Sequence, residues 1–204
     1  MQTGYKKSIS EEEIKLLDSF FAAKCKDKSI IMAYLLMRFN ALPIHEAVSI
    51  KPENIQDDMI RMIRSKTKRM YEVPLHPKVR LWYNAYTLVF KAQIEDCGYV
   101  CFSYNHPSKH IQESTIRNYF KTFRQTFGFD TPYYIKKHGG NNNLPQPLYR
   151  ISPHTLRHYA ATQAAKLGLL VAKDLLCHQK LETTVKYYID STSKEDKIKA
   201  LELL

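Results

Sequence analysis

Two periodicities organise the apolar positions of this chain. Ser10-Glu11-Glu12-Glu13 reads as a capping box, in which Ser10 accepts from the Glu13 amide and Glu13 reaches back. Ile14, Leu16, Leu17, Phe20 and Phe21 follow at helical spacing and predict a helix with one buried face. A second helix is expected from Ser29 to Asn40, where the breadth of Ile, Leu and Met implies deep burial. Pro43 interrupts it, and a short helical turn over Glu46 to Ser49 follows. The period then shortens. Asn54 to Leu75 reads as a small sheet, with a turn at Gln56-Asp57-Asp58, alternation through Ile60, Arg61, Met62, Ile63 and Arg64, and an extended piece over Met70 to Leu75. Between the strands, Ser65-Lys66-Thr67-Lys68-Arg69 forms a very basic hairpin tip.

Helical spacing returns over Lys78 to Glu95, with Leu81, Trp82, Ala85, Leu88, Val89 and Ala92 as the expected core stripe. Further helices are predicted over Ser114–Phe127, His154–Leu167, Leu170–Leu176 and Glu182–Tyr188. Lys136 to Arg150 carries Gly139-Gly140-Asn141-Asn142-Asn143 and has little to bury, so it is expected to be a mobile loop. The tail from Ser193 to Leu204 places Ile198, Leu201 and Leu204 on one face. No internal repeat and no clean boundary interrupts the pattern. The expected architecture is a single α+β domain over residues 1–204, mostly α-helical, with a small antiparallel sheet.

Composition narrows the partners. Lys and Arg number 31 against 20 Asp and Glu, for a net charge of +11 with His neutral. That balance favours a polyanionic partner and salt-sensitive association. No apolar run approaches the roughly 18 residues of a membrane span, and Met1 to Ser10 lacks the apolar core of a signal peptide. A cytoplasmic or nucleoid-associated location is expected, with no membrane partner. Cys25, Cys97, Cys101 and Cys177 do not have zinc-knuckle spacing and read as reduced thiols.

The chemistry concentrates late in the chain. Ser152 to Tyr159 puts His154, Arg157 and His158 on one face of a helix start. Arg157 offers a planar fork for two nonbridging phosphate oxygens. His154 can donate to an oxygen or shuttle a proton near neutral pH. His154 and His158 also have the spacing of a zinc helix, but Thr155 stands where a metalloprotease carries glutamate and a third ligand is not evident. His106 and His110 share that spacing beside Pro107, in an expected loop. Neither pair is read as a metal site. His178 lies downstream, with Tyr187 and Tyr188 beyond it. A tyrosine is a poor nucleophile at its usual pKa of about 10 and needs cationic donors around the phosphorus it attacks.

These boxes resemble the catalytic domain of the tyrosine recombinases, the phage-integrase-like family. Ser152 to His158 resembles its His-x-x-Arg box with the trailing His. Leu176-Cys177-His178 resembles Leu-Gly-His, with Cys177 in the glycine's place. Leu181 to Tyr187 resembles the approach to the nucleophile and selects Tyr187 over Tyr188. Lys66, eight residues before Pro74, matches the family's hairpin lysine. The resemblance covers about residues 8–190. It implies Tyr187, Arg157, His154, Lys66 and His178 as catalytic residues, Glu46 and His158 as supporting ones, and Lys68 and Arg69 as DNA contacts. It further implies a 3′-phosphotyrosyl intermediate, with neither ATP nor an obligatory metal or other cofactor.

One box departs. The family's Gly-Leu-Arg-x-x-Glu appears as Ala41-Leu42-Pro43-Ile44-His45-Glu46, so proline stands in the arginine's place and only Arg38 and His45 are near enough in sequence to replace its charge. Two function classes follow: a compact site-specific recombinase or integrase acting on double-stranded DNA, or a cleavage-impaired descendant with a regulatory or architectural role. Residues 1–9 do not amount to the family's N-terminal DNA-clamping domain, so a fusion, an accessory DNA-binding protein or a multimer is expected to add grip. The tail at residues 193–204 is expected to support weak self-association strengthened by DNA. A viral or mobile-element origin fits either class.

Overall fold

The computed structural model describes residues 9–63, 68, 70–136, 146–178, 180, 182 and 184. Helix α1 (Glu11–Lys24) opens on the expected capping box, with Glu13 N donating to Ser10 Oγ at 3.2 Å and Ser10 N donating to Glu13 Oε2 at 2.8 Å. Asp27 caps α2 (Lys28–Phe39) by accepting from Ser29 N. Phe21 of α1 stacks on Tyr34 of α2 at 3.9 Å and meets Phe120 of α6 (Glu113–Phe127). With Phe20, Phe123, Leu17 and Leu36, these residues form the main core, which burial of large apolar area drives.

The short helix α3 (Ile44–Val48) begins two residues before the expected turn, because Pro43 serves as its N-cap. A 3₁₀ turn at Pro52–Asn54 leads into the antiparallel sheet β1 (Ile55–Gln56), β2 (Met59–Ile63) and β3 (Met70–Pro74), in that order. Ile60 faces Val73 and Met62 faces Tyr71, so the inward residues Ile60, Tyr71 and Val73 bury one face. The expected sheet is therefore present. Lys66 and Arg69 of its basic tip lie outside the described residues. Lys68 is exposed.

The helix expected over Lys78–Glu95 is two helices, α4 (Pro77–Val89) and α5 (Lys91–Cys97), meeting at Phe90. Its expected core stripe is mostly turned outward: Leu81, Leu88 and Val89 are 77%, 83% and 70% exposed, while Trp82 alone of that stripe packs against the core. Two stripes compete on this segment. The aromatic one, running through Val79, Trp82, Tyr83, Tyr86 and Phe90, wins the core. Its rings bury more area than the aliphatic stripe, and the Tyr86 hydroxyl is satisfied there by Ser29 Oγ and the Val100 carbonyl, both at 2.8 Å.

Two further hairpins were not expected. Strands β4 (Phe102–Ser103) and β5 (His106–His110) pair, so His106 and His110 sit on a strand rather than in a loop. Strands β6 (Tyr134–Lys136) and β7 (Gln146–Leu148) pair at either end of the segment expected to be a mobile loop. Residues 137–145 between them lie outside the described residues. Helices α7 (Pro153–Ala165) and α8 (Leu169–Leu176) pack on each other, and α7 rests on α2. The tail at residues 193–204 and Tyr187 and Tyr188 also lie outside the described residues. Among the described residues no helix is long and apolar enough to cross a membrane.

Candidate active site

The site is built around the start of α7. Pro153 occupies its first turn, where a missing N–H costs nothing. Ser152 N donates to Thr155 Oγ1 at 3.0 Å, and that hydroxyl donates back to the Ser152 carbonyl at 2.7 Å. The preceding strand of chain is held as firmly. Buried Arg124 donates to the Ile151 carbonyl at 3.1 Å, pairs with Asp130 and lies over the Tyr149 ring at 3.8 Å. Arg150 pairs with Glu13, the capping residue of α1. The entry angle of α7 is thus fixed by α1 and α6 before any catalytic side chain is considered.

From that start, His154 and His158 stand one turn apart with rings 4.5 Å apart in an edge-to-face arrangement. Arg157 lies between them. Its Nη1 donates to the Ala41 carbonyl and its Nη2 to the Leu176 carbonyl, both at 2.5 Å. The guanidinium therefore joins two chain corners that are distant in sequence. Charge-assisted bonds of this kind are the strong ones.

Both corners turn through a left-handed residue that is not glycine. Ala41 has φ 54 and Cys177 has φ 46, whereas Gly98 and Gly128 occupy comparable positions after α5 and α6. At Cys177 the geometry is a Schellman cap: His178 N donates to the Lys173 carbonyl and Cys177 N to the Asp174 carbonyl, each at 3.0 Å. The cap turns His178 back toward α7. Its Nδ1 is 3.0 Å from the Oγ1 of buried Thr184. His154, Arg157, His158, Ala161, Leu176 and His178 together line one shallow cleft. Among the described residues no group of three or more His, Cys, Asp or Glu is placed to hold a metal ion.

The first box behaves differently. Ala41 packs its methyl against Ala161 and Leu176 beside the cleft. Glu46 is buried on α3, with His45 Nε2 3.7 Å from its Oε1. Neither residue proposed to replace the missing arginine reaches the cleft lining. Arg38 is committed elsewhere, paired with Asp18 at 3.3 Å, with its guanidinium over the rings of Phe39 and Tyr159. His45 is half exposed on the outer side of α3.

Burial raises the hydroxyl pKa of Tyr34, Tyr83, Tyr86, Tyr104, Tyr119, Tyr133 and Tyr159, so none of these seven is activated as a nucleophile. Tyr119 reaches about 12. Sequence reasoning brought His154, Arg157, His158 and His178 to one cleft but missed Ala41, Ala161, Leu176 and Thr184. The left-handed corners had one legible signal, Ala41 and Cys177 standing at glycine positions of the resembled boxes.

A helical body with a three-stranded antiparallel sheet is a fold that this chain shares with solved recombinases and integrases. XerA recombinase superposes with a TM-score of 0.69 at 17% identity, over 96% of this chain and 64% of that one. Lambda integrase, as a dimer bound to a COC′ core site, gives 0.66 at 15% identity, over 92% and 49%. XerH site-specific recombinase, in a post-cleavage complex with palindromic difH substrate, gives 0.69 at 13% identity, over 100% and 56%. The chain thus spans between about half and two thirds of the length of these proteins. No curated protein matches in sequence. The chain belongs to the phage integrase family, whose profile covers residues 7–195.

Proposed function

We propose that this chain breaks and rejoins double-stranded DNA through a covalent tyrosine link. The observation that carries this reading is the meeting of His154, Arg157, His158 and His178 in one cleft. Three imidazoles and a guanidinium in one place suit a pentacoordinate phosphorane, whose oxygens gain charge relative to the ground state. A guanidinium has five N–H donors, so one side chain can hold a backbone corner and an anion together.

In the proposed reaction Tyr187 Oη attacks phosphorus, its proton passing to an imidazole of the cleft, and the bond from phosphorus to the 5′-oxygen breaks. Lys66 gives its proton to that departing oxygen. Arg157, His154 and His178 stabilise the phosphorane, with Glu46 and His158 supporting them and Lys68 and Arg69 on the DNA backbone. The 3′-phosphotyrosyl link retains the energy of the phosphodiester, so the 5′-hydroxyl of a partner strand reseals it without ATP. A mobile-element or viral setting, a site among nucleoid DNA, and self-association through residues 193–204 on duplex DNA belong to the same reading.

A second reading, DNA binding with impaired cleavage, is favoured by Pro43 together with the commitment of Arg38 to Asp18. A covalent-trapping assay on nicked suicide duplexes separates the two. Wild type should form a protein–DNA adduct resistant to denaturant, and Tyr187→Phe should form none while still binding the duplex. Adduct from Tyr187→Phe would move the nucleophile to Tyr188, and no adduct from wild type would leave the binding role.

A further inference from the structure

Tyr71 on β3 is fully buried, and its hydroxyl lies 3.2 Å from the Asn40 carbonyl and 3.3 Å from the Leu175 carbonyl. These acceptors immediately precede Ala41 and Leu176, whose carbonyls accept from Arg157. Two donors from different elements thus span the same two corners in parallel. One comes from α7 and reaches the cleft; the other comes from the sheet.

The placement along β3 matters. At its far end the hairpin is tied down by Asn40, whose Nδ2 donates to the Pro74 carbonyl at 2.9 Å and whose Oδ1 accepts from His76 N. Tyr71 adds a second attachment three residues away, next to Ile63↔Met70, the pair nearest the basic tip. Core packing of Ile60 and Val73 holds the hairpin's buried face, and these two polar attachments tie it to the corner that Arg157 grips.

We propose that Tyr71 is a positioning residue, whose hydroxyl sets the β2–β3 hairpin against the arginine centre. The proposal rests on the reading above, in which hairpin residue Lys66 protonates the departing 5′-oxygen. A displacement of about 1 Å in such a donor costs on the order of a hundredfold in rate. Tyr71 is not among the residues that line the cleft and acts through the hairpin.

The test is Tyr71→Phe, which keeps the ring and removes the hydroxyl. Single-turnover cleavage is measured on two nicked duplexes, one ordinary and one with sulfur in place of the bridging 5′-oxygen. A thiol has a pKa of about 8.5 and leaves without an acid. Tyr71→Phe should cleave the ordinary duplex about tenfold to hundredfold more slowly, cleave the sulfur duplex at the wild-type rate, and bind both as wild type does. Equal rates on the ordinary duplex, or an equal loss on both, would overturn the proposal. Should wild type form no adduct at all, the cleavage reading fails and amide hydrogen exchange decides the positioning claim. Tyr71→Phe should then speed exchange in segments 40–42 and 175–178 together, with α1 and α6 unchanged. The absence of that joint change would overturn it.

Discussion

The two corners that Arg157 joins share a left-handed turn and differ in chemistry. Each turns through a left-handed non-glycine residue, and each offers a carbonyl to the guanidinium. The Leu176–His178 corner also delivers an imidazole to the cleft. The Ala41–Pro43 corner delivers none of the charge that its counterpart in the family carries, and Pro43 only caps α3. Shape and charge are therefore separate layers of this site. The clasp on the first corner survives without the cation, because it is made by a backbone carbonyl and not by the side chain that was lost.

Removing the clasp itself has the largest expected effect. Arg157→Ala deletes the cleft's guanidinium and strands two buried acceptors. Cleavage should fall by about a thousandfold or more, and unfolding free energy by about 3 kcal/mol from two charge-assisted bonds. Arg157→Lys keeps the charge without the fork, so it should recover little of either. Trapping kinetics alongside urea denaturation separate the two losses. A cleavage loss with unchanged stability would mean that the guanidinium does not hold the corners together.

Restoring charge to the poorer corner comes next. Pro43 has φ −59 and ψ 151, a conformation open to arginine, and its carbonyl keeps the bond from Ala47 N whatever the side chain. Pro43→Arg should raise the single-turnover cleavage rate about a hundredfold, the lower end of what one phosphate-directed donor contributes. An unchanged rate would show that the missing cation does not limit this chain.

How much of this was legible depended on whether side chains or backbone carried the signal. The capping box at Ser10 is present atom for atom, and the apolar face of α1 is buried as its spacing predicted. On α4 two apolar stripes had the same period, and periodicity does not say which one faces the core. The aromatic stripe won because its rings bury more area and the Tyr86 hydroxyl is satisfied inside. The β6–β7 hairpin was read as loop because strands of three residues are too short to show alternation. In the site, imidazoles and a guanidinium at box spacing were visible as residue types. Their link was not, since the acceptors are carbonyls of Ala41 and Leu176, and Tyr71 read as an ordinary strand residue.

The smallest effect is the sharpest test of the comparison, because both corners receive the same change. A left-handed non-glycine residue costs roughly 1 kcal/mol or more, which glycine relieves. Cys177 is part-exposed at a Schellman cap, packed on the edge of the core with Sγ 3.4 Å from the Asp174 carbonyl, so Cys177→Gly should raise stability by up to about 1 kcal/mol. Ala41 is fully buried, with its methyl against Ala161 and Leu176. Ala41→Gly gains the same relief but loses about 0.8 kcal/mol of buried methyl, so its stability should stay near wild type. Urea midpoints at constant m-value measure both. Equal stabilisation at the two positions would show that the Ala41 methyl contributes nothing to the cluster beside the cleft, and that packing does not distinguish the corners.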